Sequence, residues 1–153
     1  MDKITHATSG DLQALADLHA TSFASGLERP WSAEDFKESL EMSGMCCLVV
    51  KEGGTLAAFL LFRQILDEAE IISIGVAPGC QRRGYASELL QFALEGMRER
   101  NIEKIILEVR DDNYAAMYLY KGFGFEEVGQ RLAYYRLSNG QRKDAKLYCL
   151  FIK

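Results

Sequence analysis

The amino-acid sequence predicts one α/β domain, built on a mixed sheet with helices on its faces. Segments with helical and strand periodicity alternate along all 153 residues, without a linker or an internal repeat. In the second half the order strand, helix, strand, helix, strand requires crossover connections, so part of the sheet is parallel. Hairpins on either side of this region indicate that other strand pairs are antiparallel.

The first half of the chain predicts two helices and four strands. A short strand over residues 3–8 is followed by an amphipathic helix over residues 12–23. His19 lies on the apolar stripe of this helix, so we interpret it as a packed histidine. Ser32 and Asp35 have the spacing of a capping box, which predicts the start of a second helix. Three further strands are expected at residues 46–51, 55–66 and 69–76.

The second half predicts two helices, a strand and a terminal hairpin. The helices are expected at residues 86–97 and 114–121, the strand at residues 102–110 and the hairpin at residues 125–152. Asn113 is placed to cap the second helix, and Gly122 is placed to close it. The hairpin is expected to turn at Ser138–Gly140.

Charge and hydropathy exclude several classes of protein. The chain has 18 basic and 22 acidic residues, a net charge of −4, whereas sequence-independent nucleic-acid binding needs a basic face. The longest strongly apolar run, Leu56–Phe62, is too short to span a bilayer, and the first residues do not resemble a signal peptide. We therefore expect a soluble, cytoplasmic protein that binds neither nucleic acid nor membrane. We also expect a monomer or a weak homodimer.

The cysteines and histidines predict no metal site. The four cysteines, at positions 46, 47, 80 and 149, include no C-x-x-C pair, and the chain has two histidines. The adjacent Cys46 and Cys47 would point to opposite faces of a strand. We expect reduced thiols that fill core or loop space.

The segment Ile74–Ala86 is the most informative part of the sequence, because a buried strand, a loop and the start of a helix follow one another there. A helix N-terminus has unpaired N–H groups and positive dipole charge, both of which bind phosphate. Gly84 allows close backbone approach, small Ala86 leaves room above the first turn, and Arg82 and Arg83 add positive charge. An ordinary strand–helix turn is the alternative. The context favours a cofactor that contains pyrophosphate.

The same segment resembles the acetyl-CoA loop of the GCN5-related N-acetyltransferases (GNAT), in the pattern Gln81-x-x-Gly84-x-Ala86 after a strand ending in Val76-x-Pro78. The order of elements resembles that superfamily over essentially the whole chain. Motifs that resemble the RimI type, the ribosomal-protein alanine N-acetyltransferases, are Pro30–Ser32, Gln81–Gly84, Leu107–Arg110 with Asn113, Leu119–Tyr120, Gly124–Phe125 and Arg131-x-x-Tyr134-Tyr135.

The resemblance implies a mostly antiparallel central sheet in which one parallel, splayed strand pair forms the cofactor cleft. It implies acetyl-CoA as co-substrate and no metal. The backbone of Ile74, Gly75 and Val76 would meet the acetyl carbonyl and the pantetheine arm. Gly75 would permit the bulge that splays the strands, and a plain strand glycine is the alternative.

The resemblance also implies which residues contact the rest of the cofactor. The pyrophosphate would be held by Gln81, Arg82, Arg83, Gly84, Tyr85, Ala86 and Ser87. Asn113 matches a cofactor-contacting asparagine, although a simple N-cap explains it equally well, and Tyr120 would lie beside the sulfur. The sequence departs from the family pattern where Asp112 replaces a serine and where Tyr85–Ala86 replaces a commoner leucine–glycine.

Glu108 and Tyr120 are the implied general base and general acid. Acetyl transfer from a thioester to an amine needs a neutral amine and a way to neutralise the departing thiolate. Glu108 lies in an otherwise apolar strand, where a charge is costly unless it faces water; a pair with Arg110 is the alternative. Tyr118 faces away from Tyr120, because two residues turn a helix by about 200°. A core tyrosine is the alternative at position 120.

On the acceptor side, the resemblance implies that Trp31, Tyr134 and Tyr135 contact the substrate. Strand alternation places only one of the two tyrosines on the binding face. The implied reaction is direct transfer, without an acetyl-enzyme, to the N-terminal α-amino group of a protein, with a ribosomal protein as the acceptor. A transferase for small amines and a catalytically silent acetyl-CoA-binding module are the alternatives. The presence of both Glu108 and Tyr120 argues against the silent module.

Overall fold

The computed structural model describes residues 4–23, 31–136 and 140–152, except for the side chains of residues 22–23 and 134–136. Within these residues the strands are β1 (Ile4–His6), β2 (Met45–Glu52), β3 (Thr55–Ile65), β4 (Glu68–Val76), β5 (Lys104–Arg110), β6 (Glu126–Arg136) and β7 (Arg142–Phe151). The α-helices are α1 (Leu12–Phe23), α2 (Ala33–Leu40), α3 (Tyr85–Glu99) and α4 (Tyr114–Gly122).

These strands form one sheet with the order β1-β2-β3-β4-β5-β7-β6. Strands β4 and β5 are parallel, because α3 carries the chain back between them, and the other neighbours are antiparallel. The structure therefore confirms the predicted mixed, mostly antiparallel sheet with one parallel pair.

The two faces of the sheet are covered by different helices. On one face, α3 and α4 bury residues such as Leu90, Met97 and Met117 against the sheet. On the other face, α1 and α2 bury Leu15 and Phe36 against β2 and β3. Each fully buried side chain of this size contributes about 1.5–3 kcal/mol to folding. Cys46 packs with the first cluster and Cys47 with the second, which confirms that they point to opposite faces.

His19 joins α1 to the start of α2. It is buried, with 4% of its surface exposed, and its Nδ1 accepts a hydrogen bond from the backbone N–H of Trp31 at 3.1 Å. Its ring stacks on that of Trp31 at a centroid distance of 5.7 Å. Burial lowers the pKa of His19 to about 4, despite the opposing charge of Asp35. The structure confirms the packed histidine and also the capping box of Ser32 with Asp35.

The predicted closing glycine of α4 is wrong by two residues. Gly122 is the last helical residue, and Gly124 adopts the left-handed conformation with φ at 96°. The N–H groups of Gly124 and Phe125 donate to the carbonyls of Lys121 and Tyr120 at 3.0 and 3.1 Å. These are the two bonds of a Schellman motif, which requires its glycine at the second residue past the helix.

No described helix is both long and apolar enough to cross a membrane.

Candidate active site

The parallel strands β4 and β5 separate at the middle of the sheet. Their last paired residues are Ile71 and Leu107. At the same point β4 shifts its register against β3, because Phe62 pairs with Ile71 and Leu61 pairs with Ser73, which leaves Ile72 as a bulge. The predicted bulge at Gly75 is therefore wrong. Gly75 pairs regularly with β3, and the extra residue that bends β4 lies three positions earlier.

The opening between the two strands is lined with polar groups. In the described chain, residues of β4 after the bulge pair with β3 and not with β5, so one edge of their backbone faces the opening. The hydroxyl of Ser73, the first residue after the bulge, is buried and has no hydrogen-bond partner among the described residues. Ile74 and Val76 pack toward α3, and Gly75 is buried. The backbone N–H and C=O groups along this edge of β4 fit an amide-containing arm such as pantetheine.

The loop before α3 has the geometry of an anion-binding helix start. Gly84 is the N-cap of α3 in the left-handed conformation, with φ at 84°. A Cβ at this position would meet nothing within 4 Å, so the space in front of the helix is open. In the described chain no side chain caps α3, which leaves its first N–H groups for a ligand. Gln81 and Arg82 are exposed in the loop, and Tyr85–Ser87 form the first turn.

Glu52, the last residue of β2, contacts this loop in a way that the sequence did not predict. Its carboxylate accepts hydrogen bonds from Arg83 at 2.6 Å and from the hydroxyl of Tyr85. These two donors lower the pKa of Glu52. Arg83 is thus paired with a protein carboxylate, and a cofactor phosphate would compete for it. The turn between β2 and β3 brings Glu52 to Arg83, and no local motif in the sequence indicates this contact.

Asn113 begins α4 as its N-cap. Its side-chain oxygen accepts a hydrogen bond from the N–H of Ala116 at 3.2 Å, so the structural role that we considered for Asn113 is present. The neighbouring Asp112 forms ion pairs with Arg110 and with Lys143. These cations offset the negative charge that Asp112 brings to this end of β5.

Glu108 lies just past Leu107, the last residue of β5 that pairs with β4, and it remains paired with β7. Its side chain is 21% exposed, and its Oε1 lies 3.1 Å from a guanidinium nitrogen of Arg131 in β6. Arg110, the partner that we considered from the sequence, pairs with Asp112 instead. Glu108 therefore pairs with an arginine of β6 and not with the arginine of its own strand that the sequence suggested.

Tyr120 lies on the opposite face of the sheet from Glu108. It is 4% exposed and packs in the cluster that includes Leu107 and Val109, the apolar neighbours of Glu108 in β5. Its ring contacts that of Phe125 edge-on at 5.6 Å. Tyr118 is 85% exposed, which confirms that the two tyrosines face different directions.

The acceptor-side residues are described in part. Trp31 is half-buried and packs on the cluster beneath α1 and α2. The side chains of Tyr134 and Tyr135 lie outside the described part of the structure. No described cluster of three or more His, Cys, Asp or Glu side chains could hold a metal ion.

Comparison with known families identifies the chain. The model of the Acetyltransferase (GNAT) family matches residues 12–125. The chain belongs to the GNAT family. It is an acetyl-CoA-dependent N-acetyltransferase, and the split of β4 from β5 and the loop before α3 fit this co-substrate.

Relatives of this GNAT chain include bacterial proteins of similar length. It is 31% identical over 150 residues to the [Ribosomal protein bS18]-alanine N-acetyltransferase of Escherichia coli K12, covering 98% of this chain and 97% of that protein. It is 37% identical over 139 residues to the N-alpha-acetyltransferase RimI of Mycobacterium tuberculosis H37Rv, covering 86% of this chain and 82% of that protein.

Solved structures have the same fold. The ribosomal-protein-S18-alanine N-acetyltransferase from Escherichia coli matches with a TM-score of 0.87 and 31% identity, over 100% of this chain and 95% of that one. Arabidopsis thaliana NAA60 in complex with a bisubstrate analogue also matches with a TM-score of 0.87, over 100% and 99% of the two chains. At 20% identity, the second match concerns the fold alone.

Proposed function

We propose that this GNAT enzyme acetylates the N-terminal α-amino group of a protein, and that its acceptor is a ribosomal protein. The observation that carries this proposal is the similarity, over nearly the full length of both chains, to an enzyme named for the alanine of ribosomal protein bS18. The net charge of −4 supports it, because an acidic enzyme attracts a basic acceptor chain.

The cofactor would lie along the opening between β4 and β5 and reach the N-terminus of α3. Backbone groups of Ile74, Gly75 and Val76 would hold the pantetheine arm. The pyrophosphate would be held by Gln81, Arg82, Arg83, Gly84, Tyr85, Ala86 and Ser87. Asn113 and Tyr120 would complete the contacts from the side of α4. Bound acetyl-CoA supplies a thioester whose acetyl carbon is the electrophile.

Glu108 would act as the general base of this reaction. A free α-amino group has a pKa of about 8, so near neutral pH most of the acceptor arrives as the ammonium form. The Glu108 carboxylate, directly or through a water molecule, would take the proton that leaves the nitrogen. The neutral amine would then attack without an acetyl-enzyme intermediate.

Tyr120 would act as the general acid. Its phenol is a competent donor to a departing thiolate, and its buried ring is held by Phe125 and by the Schellman motif at the end of α4. The base and the acid would therefore approach the opening from opposite faces of the sheet. Trp31 and one of Tyr134 and Tyr135 would contact the acceptor.

The test measures CoA release and acetyl-CoA affinity in Glu108→Gln and Tyr120→Phe. We expect each variant to lose about 10²–10⁴-fold in kcat while its affinity for acetyl-CoA stays close to that of the parent enzyme. Tyr118→Phe is the matched control, because the exposed Tyr118 lies on the same helix and should retain full activity. Full activity in both Glu108→Gln and Tyr120→Phe would overturn the catalytic assignment.

A further inference from the structure

Strand β6 has a large irregularity next to the candidate base. Arg131 pairs with Ala145 and Tyr135 pairs with Lys143, so the three residues between them on β6 lie opposite the single residue Asp144. Ala133, within this bulge, has φ at 52°, a left-handed conformation that a residue with a side chain rarely adopts. A bulge of this kind changes the direction of the side chains beside it.

The bulge is fixed by side chains of the neighbouring strand. One carboxylate oxygen of Asp144 accepts the N–H of Ala133 at 2.7 Å, and the other accepts the side-chain amide of Gln130 at 3.5 Å. Arg142 donates to the carbonyl of Ala133 at 3.4 Å. The strained backbone at Ala133 therefore has a partner for both of its polar groups.

Arg131, the last regularly paired residue before the bulge, reaches Glu108 across the intervening strand. Strand β7 separates β6 from β5, so the two side chains bridge about 9–10 Å of sheet. Opposite Arg131 on β7 is Ala145, which is fully buried and too small to block the path. Arg131 and Glu108 also line the same open groove of about 260 Å³.

Few other charges face Glu108 from the described elements around it. Leu147 of β7 lies directly opposite. The ionisable groups lining the groove with Glu108 and Arg131 are Glu70 of β4, Lys104 of β5, and Tyr148 and Cys149 of β7. Arg110, two residues further along β5, is paired with Asp112.

We propose that Arg131 is a positioning residue that holds and charge-balances the Glu108 carboxylate, and that the Asp144-anchored bulge holds Arg131 in place. This inference rests on the proposed role of Glu108. An unpaired carboxylate would rotate among several rotamers, and a small misplacement of a base costs a large factor in rate. An unpaired carboxylate would also hold the ammonium form of the acceptor as an ion pair, so the nitrogen would retain its proton. The positive charge of the Arg131 guanidinium weakens the attraction between the Glu108 carboxylate and the acceptor ammonium.

The first test measures pH profiles of kcat and the acceptor KM in Arg131→Gln and Arg131→Lys. We expect Arg131→Gln to lower kcat about 10- to 100-fold, to change the acceptor KM by less than about threefold, and to move the rising limb of the kcat profile to higher pH. Arg131→Lys keeps the charge and should recover most of the loss. Acetyl-CoA affinity should not change in either variant.

Lys146→Gln is the matched control. Lys146 belongs to the same strand pair and forms an ion pair with Glu127 at 3.2 Å, but it lies on the other face of the sheet from Glu108. We expect parental kinetics from this variant. If Arg131→Gln has parental kinetics too, the inference is overturned while the proposed function stands.

The second test combines Arg131→Gln with Glu108→Gln. If Arg131 acts through Glu108, the double variant should be no slower than Glu108→Gln, because the group that Arg131 positions is already absent. If the two losses multiply instead, Arg131 acts independently and the inference is overturned. If Glu108→Gln is fully active, the proposed base is wrong and the inference falls with it. Asp144→Asn weakens the hydrogen bonds that fix the bulge. It should lower kcat and move the rising limb of the pH profile of kcat in the same direction as Arg131→Gln, by a smaller amount.

Discussion

His19→Gln should make the free energy of unfolding less sensitive to pH between 7.5 and 5. In the folded protein burial lowers the pKa of His19 to about 4, whereas an unfolded chain has a histidine pKa of about 6.5. His19 is neutral in both the folded and the unfolded state at pH 7.5, so its titration does not change the free energy of unfolding at that pH. As the pH falls below 6.5 the unfolded state gains a proton that the folded state does not, and stability decreases.

The size of this effect follows from the two pKa values. Between pH 7.5 and pH 5, linkage gives a loss of about 2 kcal/mol from His19, and the loss stops growing near pH 4. Acidic side chains titrate mostly below this window, so they contribute little to the change. Gln is a suitable replacement because its amide oxygen can still accept the N–H of Trp31.

The assay is urea unfolding of the parent protein and the variant at pH 7.5 and pH 5. We expect His19→Gln to lose about 2 kcal/mol less than the parent between the two conditions. His6→Gln is the matched control, because His6 is exposed on β1 and should leave the parental pH dependence in place. An equal pH dependence in His19→Gln and the parent would refute the assignment of a buried, neutral His19.

Two further changes test the end of α4 and the cofactor loop. Gly124→Ala should lower the free energy of unfolding by about 1–2 kcal/mol because the residue has positive φ. Gly122→Ala, inside the helix, should raise it by up to about 1 kcal/mol. Equal effects of the two substitutions in urea unfolding would contradict the Schellman motif. Glu52→Gln should tighten CoA binding by up to about fivefold by freeing Arg83, with no gain for pantetheine, which lacks the phosphates. Weaker CoA binding in calorimetry would show that Glu52 orders the loop instead.

Local patterns in the sequence predicted much of the fold around the candidate site. The capping box at Ser32, the alternation of Cys46 and Cys47, and the opposite directions of Tyr118 and Tyr120 depend on contacts or geometry within a few residues. The loop at Gly84 was also predictable, because a helix start and its glycine are close in sequence.

The features that the sequence did not predict depend on strand register. The bulge of β4 lies at Ile72 rather than at Gly75 because it forms where the pairings of three strands meet, and a glycine is not required for it. The partner of Glu108 is Arg131 rather than the nearby Arg110, because the register of three strands places Arg131 within reach of Glu108 across β7. No periodicity along one segment contains this information.

The central claim, N-terminal acetylation of a protein, is tested most directly by CoA release from acetyl-CoA with a panel of acceptors. The panel contains ribosomal N-terminal peptides that begin with alanine, the same peptides with blocked N-termini, and small amines. We predict turnover with the free peptides alone, with mass spectrometry placing the acetyl group on the α-nitrogen. Turnover with small amines and not with the free peptides would contradict the claim, although it would be compatible with the proposed roles of Glu108 and Tyr120.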